Sequence, residues 1–524
     1  MIENNERTTA AQSETIPNSR SNRRYWFLMA AISTLFIALT VGHTITQRPW
    51  SDEGWFANPA YNLAANGFMG TTVFEPSEQL KGIQTRTYWV MPLYLALESA
   101  WLKMVGFSLF KYRLLSLFFG LIGLAAWFSI MRSLWRNKAL AGLAVCLVGL
   151  DYYYISSSSF GRMDIICATF GYAGLAAYLH LRERNWLLAI SISHALICAS
   201  GLSHFLGVMP LVGLVFLTFY YDRDKIGLKA IGAAVIPYVI GAVGWGWYIL
   251  QAPSDFIAQF SANATDSQRM SALSHPMRAI ALEIKDRYMV GFGLGSHSAG
   301  HSDVAALKAL VLLALLIGLL GVALTPGLRR QKGCRVLLGF LAIYFVILTL
   351  LDGQKLTTYL IHIIPIYAAC LAVWIHWLWT RRLVTRWLIA PLVAGLLLLQ
   401  IGGVVWKIKL NSYGRSFAPA VAFLKQTTNP NSIVFASADM GFGLGFDKLT
   451  DDNRLGYYSH RSPDFIVVEE VYLDAFDGHR KHRPAVDQFV KARLKEYDLI
   501  YDHAYYKIYG RNRVAPQEVT SRGQ

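Results

Sequence analysis

Apolar runs long enough to cross a bilayer recur through most of this 524-residue chain, and short clusters of Lys and Arg stand between them. The hydrocarbon core is roughly 30 Å thick, so a helical span needs about 20 apolar residues, and about eleven segments qualify. With 54% of its residues hydrophobic and 16% charged, the chain reads as a polytopic α-helical membrane protein. The net charge of +16 does not point to nucleic acid, because much of it falls in short turns, the pattern of cytoplasmic loops. The five cysteines lie in or beside the apolar runs, with neither paired metal spacing nor an extracellular disulfide framework.

The basic clusters are Arg20 with Arg23 and Arg24, Arg132 to Lys138, Arg182 with Arg184, Arg223 with Lys225, Arg329 to Arg335, and Arg381 with Arg382 and Arg386. If all are cytoplasmic, an even number of crossings separates each from the next. Spans at about 25–46, 113–131, 139–155, 164–181, 186–203, 205–221, 227–250, 304–324, 335–351, 357–379 and 387–405 satisfy this. The first is too long for a signal-peptide core and lacks a small-residue cleavage site, so it is read as a retained anchor behind a disordered cytoplasmic tail, 1–24. The segment 88–105, apolar but carrying Glu98 and Lys103, must not cross and suits an interfacial helix. Residues 25–405 would thus form the transmembrane domain, with outer loops at 47–112 and 251–303. The remainder, 406–524, alternates helix-like 418–426 and 484–496 with strand-like 432–438, 464–472 and 497–509, which argues a small extracytoplasmic α/β domain.

This topology gathers four polar clusters on one outer face. They are Asp52-Glu53 after the first span, Ser156 to Asp164 with Arg162, His204 in a hairpin, and Asp352 to Tyr359 with Lys355. An ionised group at the bilayer centre costs roughly 2.5–3.5 kcal/mol on insertion scales, so such residues beside spans are functional candidates. Each keeps a plainer alternative. Asp52-Glu53 can mark the water boundary, Arg162 and Asp164 can pair at a helix start, His204 can be structural, and Lys355 can reach for headgroups. His275, His297 and His301 lack metal-ligand spacing. Gly291 to Gly295 lacks the following helix and Lys-Ser/Thr of a phosphate loop. Asn263-Ala264-Thr265 matches a glycosylation acceptor, and Asp447, Asp451 and Asp452 do not fit an EF-hand.

Carboxylates and cations together at a membrane surface suit a lipid-phosphate substrate. The phosphate wants Arg and Lys, an attacking hydroxyl wants a carboxylate base, and a phosphate departs as a stable anion that cations stabilise.

The Asp52-Glu53 pair, the second Asp at Asp164 and the Lys355-x3-Tyr359-x5-Pro365 run resemble the GT-C superfamily of membrane glycosyltransferases. The branch most resembled contains the protein O-mannosyltransferases and the lipid A aminoarabinose transferases, and the resemblance covers about 25–405. It implies transfer of a sugar from a polyprenyl-phosphate donor to an extracytoplasmic lipid, glycan or protein, with inversion, at a bacterial inner membrane. On that resemblance Asp52 is the base, and Glu53 and Asp164 orient it or the sugar. Arg162, Lys355, Arg86 and His204 face the donor phosphate, and Tyr359 contacts substrate. No cofactor is assigned, and a divalent metal stays open. The chain departs from the lipid A branch in having Arg86-Thr87-Tyr88 where Lys-Pro-Pro is frequent, and His204 where many relatives have Lys. A transporter or flippase of a lipid-linked sugar is the rival reading, although neither internal repeats nor mid-membrane polar pairs support it; a binding or assembly protein is the third.

Overall fold

A computed structural model describes residues 19–266, 269–295, 302–382, 384 and 386–511. Nine helices among the described residues are long and apolar enough to cross a membrane, and ten if one bent pair counts as a single span. They include α1 (Ser19–Thr46), α4 (Leu109–Trp135), α7 (Met163–Leu181), α8 (Trp186–Ser203) and α10 (Leu228–Leu250). Between α1 and α4 lie α2 (Ser51–Asn66) and α3 (Pro92–Val105); α9 is Val208–Asp222. Past the outer loop come α11 (Ser302–Leu324), α12 (Lys332–Leu351), α13 (Ile364–Arg381) and α14 (Arg386–Leu410).

Three details differ from the sequence reading. The span expected at 139–155 is a pair, α5 (Lys138–Gly149) and α6 (Tyr152–Ser159), bent by 62°. The break has a local cause: Asp151 leaves the ladder and caps α6 by accepting the Tyr153 and Tyr154 amides at 2.9 and 3.1 Å. The span expected at 357–379 begins instead with the 3-10 turn Thr357–His362, so that α13 retains only 18 residues. The helix of the first span already starts at Ser19, within the stretch expected to be disordered, while residues 1–18 lie outside the described part.

α10 shows why this fold needs a bilayer. Only 6% of its most apolar window is buried, and Ile240, Val243 and Trp247 are 66–70% exposed. A stripe of that size on a soluble protein would be an association site. α3 has 14 residues, about 21 Å at 1.5 Å per residue, too short to cross. Its Glu98 is fully buried rather than turned to water, and burial together with Glu53 holds its carboxyl well above the usual range.

The C-terminal domain is a five-stranded mixed sheet of order β2-β1-β3-β5-β4. The strands are β1 (Val434–Phe435), β2 (Leu449–Thr450), β3 (Phe465–Val468), β4 (Tyr497–His503) and β5 (Tyr506–Arg511). β1 runs parallel to β2 and β3, while β5 is antiparallel to β3 and β4. Alternation along β3 divides its side chains: Val467 joins the core shared with the helical domain, whereas Ile466 and Val468 pack under α16 (Glu470–His482) and α17 (Pro484–Leu494). α15 (Ala418–Thr427) follows α14 almost without interruption, through the π-turn Tyr413–Phe417. The strand expected at 464–472 therefore ends at Val468, and 470–472 already belong to α16.

The domain docks on α2. A Cβ on Gly54 would lie 2.3 Å from the Ala438 carbonyl carbon, so this contact requires glycine. Trp55 donates to Asp451 at 2.7 Å, and the Asp451 amide donates to the Val73 carbonyl at 2.8 Å. Arg48 pairs with Glu470 at 2.6 Å.

Candidate active site

Asp52 sits in the first turn of α2, with its side chain 20% exposed. Its Oδ2 accepts from Nη1 of Arg162, whose Nε donates to Asp164 Oδ2 at 2.8 Å. One guanidinium thus bridges two carboxylates from separate helices. Trp50 and Phe56 cover it, their ring centroids 4.8 and 5.6 Å from Cζ, so the ion group is screened from water on its aromatic side. Asp164 Oδ1 remains buried without a hydrogen-bond partner.

Glu53 points the other way. It is fully buried, and it receives Arg113 through Nε at 2.8 Å and Nη2 at 2.6 Å, the Gly161 amide at 2.7 Å, and the Trp50 amide at 3.0 Å. Arg113 also donates to the Thr44, Gln47 and Arg48 carbonyls at the end of α1, where a cation complements the helix dipole. Gly161 has no room for a side chain, since a Cβ would lie 2.1 Å from Tyr112 Cε1. Glu53 therefore ties the end of α1, the start of α2 and the turn that carries Arg162 into one unit. Arg113 escaped the sequence reading because it stands at the mouth of an apolar run like any boundary residue; its five-donor role depends on chain segments about 60 residues away.

Tyr359 lies on the 3-10 turn Thr357–His362 and is buried. Arg269 donates to its hydroxyl from Nη1 at 2.7 Å, while Arg269 Nε is buried with no partner among the described residues. His204 packs its ring 5.1 Å from that of Tyr359. Arg269 was also missed. It lies in the outer loop beside other basic residues of equal promise, Arg278 and Arg287, and only the fold selects it.

Lys355 occupies a different setting from the one expected. Its Nζ donates to the Thr349 carbonyl at 2.5 Å and pairs with Glu283 at 3.1 Å. Glu283 also meets Arg287 at 2.7 Å, and Arg287 meets Asp352 at 2.9 Å. Two acids and two bases close this buried network, so the Lys355 charge is matched by the protein itself. Lys355 has a left-handed backbone, φ 56°, which non-glycine residues adopt at a cost that surrounding contacts must cover. Arg287 Cζ lies 5.9 Å from the Tyr359 ring, so the network abuts the site without sharing its polar contacts.

Arg86 stands apart, donating to Gln251 at 3.2 Å. It lines a cavity of about 1130 Å³ with Phe68, Leu93, Gly244, Trp245 and Tyr248. This mostly apolar groove runs between the first outer loop with α3 and the ends of α8 and α10, and Leu202 on its wall is two residues from His204. Asn263 donates to the Trp89 carbonyl at 2.8 Å. His297 and His301 lie outside the described residues. Beside His204, the side chains of Cys167 and His362 come close enough to hold a metal ion jointly.

Neither a family model nor a curated protein matches the sequence. Solved structures do. ArnT from Cupriavidus metallidurans in the apo state superimposes with a TM-score of 0.60 at 13% identity, over 93% of this chain and 98% of that one. The same protein bound to undecaprenyl phosphate gives 0.59 at 13% identity, over 93% and 97%. The apo oligosaccharyltransferase of Archaeoglobus fulgidus gives 0.54 at 12% identity, over 94% of this chain and 75% of that one. The chain has the GT-C fold. At this identity the likeness speaks for architecture alone.

Proposed function

We propose that this protein is a glycosyltransferase that moves a sugar from a polyprenyl-phosphate donor to an extracytoplasmic acceptor, with Asp52 as base. The carrying observation is the Arg162-bridged pair Asp52 and Asp164, standing near the Arg269–Tyr359–His204 group. The acceptor oxygen attacks the anomeric carbon as its proton passes to Asp52. The bond from that carbon to the phosphate oxygen breaks, and polyprenyl phosphate leaves as an anion with inversion at carbon. Arg162 keeps both carboxylates in place, and Asp164 orients the sugar. Arg269, with a free buried donor, receives the phosphate alongside Tyr359 and His204. Lys355 acts through its network, by holding the turn that presents Tyr359. Glu53 positions the turn bearing Arg162 and does not touch substrate. The prenyl chain lies in the apolar groove, with Arg86 at its polar edge.

Two further observations support this reading. The groove flanks α10, whose outer face is lipid-exposed, so a lipid enters sideways from the bilayer. A protein of the same fold has been solved bound to undecaprenyl phosphate. The basic turns favour an extracytoplasmic side for the site and the sheet domain, in keeping with a bacterial inner-membrane enzyme.

The test is made in cells. Replacing the chain by its Asp52→Asn variant should erase one sugar modification from envelope lipids, glycans or proteins, read by mass spectrometry, while the variant inserts at normal abundance. An unchanged envelope in both the variant and a deletion strain would remove the proposal. Accumulation of a lipid-linked sugar on the cytoplasmic face would favour the flippase instead.

A further inference from the structure

Cys167 on α7, His204 after α8 and His362 at the end of the 3-10 turn come from three separate elements. A ligand atom from each lies within 4.8 Å of the other two, and the residues are 0%, 3% and 1% exposed. Hydrogen bonding does not account for the grouping. Among the described residues His362 Nε2 is buried with no partner, and the Cys167 sulfur has only weak contacts, 3.3 Å to the Ser200 hydroxyl and 3.8 Å to the His204 carbonyl oxygen. The two imidazoles lie nearly parallel, 16° between planes with centroids 6.4 Å apart.

We propose that Cys167, His204 and His362 bind a zinc ion through one thiolate sulfur and two imidazole nitrogens. Magnesium and calcium select oxygen ligands; one sulfur with two imidazoles suits zinc or copper, and the nearby Asp164 carboxylate, an oxygen donor in place of copper's weak axial ligand, favours zinc. Zinc ligated at about 2.3 Å by sulfur and about 2.0–2.1 Å by nitrogen puts the ligand atoms about 3.3–3.6 Å apart in a tetrahedron. Side-chain rotation therefore has at most about 1.5 Å to close from the 4.8 Å bound. The thiol loses its proton to water as the Zn–S bond forms, so binding releases one proton and the ion retains one net positive charge over the thiolate. Three protein ligands leave a fourth position for an oxygen. Asp164, one helical turn before Cys167, holds its partnerless Oδ1 near this group. Arg162 already fills the space between Asp52 and Asp164, so this sulfur–nitrogen group is distinct from a carboxylate-held ion.

The experiment reads metal and not transfer, so it stands independently of the glycosyltransferase assignment. The full chain in detergent is stripped with chelator, reloaded with Zn²⁺ or Co²⁺, and freed of excess ion by gel filtration. Wild type should retain a single zinc per chain, and its cobalt form should show a thiolate-to-cobalt charge-transfer band with the intense visible bands of tetrahedral cobalt. Cys167→Ser should lose the charge-transfer band, and both it and His362→Gln should lower retained zinc at least about tenfold. Cys146→Ser, altering a thiol on α5, should keep zinc and band alike. Wild type that retains no zinc and shows no charge-transfer band overturns the proposal, as does a Cys167→Ser protein that keeps both. If Cys167→Ser aggregates, His362→Gln with the wild-type spectrum decides on the same terms.

Discussion

Glu53 and Asp52 are neighbours in sequence with opposite fates. Asp52 reaches a partly exposed site, while Glu53 is sealed against Arg113. A buried ion pair broken on one side leaves an uncompensated charge, typically at a cost of about 3–5 kcal/mol. Glu53→Gln should therefore lower the thermal unfolding temperature in detergent markedly. Arg113→Met should cost at least as much, because it also strips the Thr44, Gln47 and Arg48 carbonyls of their donor, and a Glu53→Gln protein that melts with the wild type would contradict the assignment. The sequence alone brought Asp52, Arg162, Asp164, His204 and Tyr359 to one face, because each follows or precedes an apolar run and parity decides its side. Arg113 and Arg269 stayed hidden, since their importance lies in partners distant along the chain. Lys355 was visible, but the acid that neutralises it, Glu283, was not distinguishable from an ordinary loop charge.

At the scale of elements, the joint between α2 and the sheet domain carries three acids, Asp439 and Glu469 buried and Asp451 half-buried. Burial pushes Asp451 up to about 6, against hydrogen bonds from Trp55 and Ala438. Asp439 rises through burial and then through Glu469, and Glu469 rises through burial. An acid whose folded value lies above its unfolded value holds more protons when docked, so stability declines as pH rises through that interval. These acids should hold the joint tightest below about pH 4 and loosen it as pH rises through about 6. Hydrogen exchange of α2 and residues 434–440, corrected for intrinsic rates, should show protection falling over this range; rising protection would contradict the account. These elements were only partly legible. β1 and β2 have two residues each, too few for alternation to show, and the break at Asp151 interrupts a run whose apolar composition continues on both sides.

At the scale of the whole molecule, the spacing of apolar runs conveyed most of the long helices, because the length needed to cross hydrocarbon acts on every span alike. It gave no sign of the groove, which forms where the first outer loop meets α8 and α10. Gly244 lines that groove, and a Cβ placed there meets nothing within 4 Å. Gly244→Trp should raise KM for a long-chain prenyl donor while sparing a donor with a chain of two or three isoprene units. Equal effects on both would show that the chain lies elsewhere.

In the proposed mechanism Asp52 takes the acceptor proton in a transfer that releases polyprenyl phosphate. The direct measurement is release of polyprenyl phosphate by the purified full chain from a panel of polyprenyl-phosphate monosaccharides, with an envelope extract supplying acceptor hydroxyls, and with wild type and Asp52→Asn compared at saturating donor. Wild type should release it from at least one donor, and Asp52→Asn should lose about 10²–10⁴-fold while remaining folded, since Arg162 keeps Asp164 as a partner. Asp52→Asn turning over at the wild-type rate would contradict it.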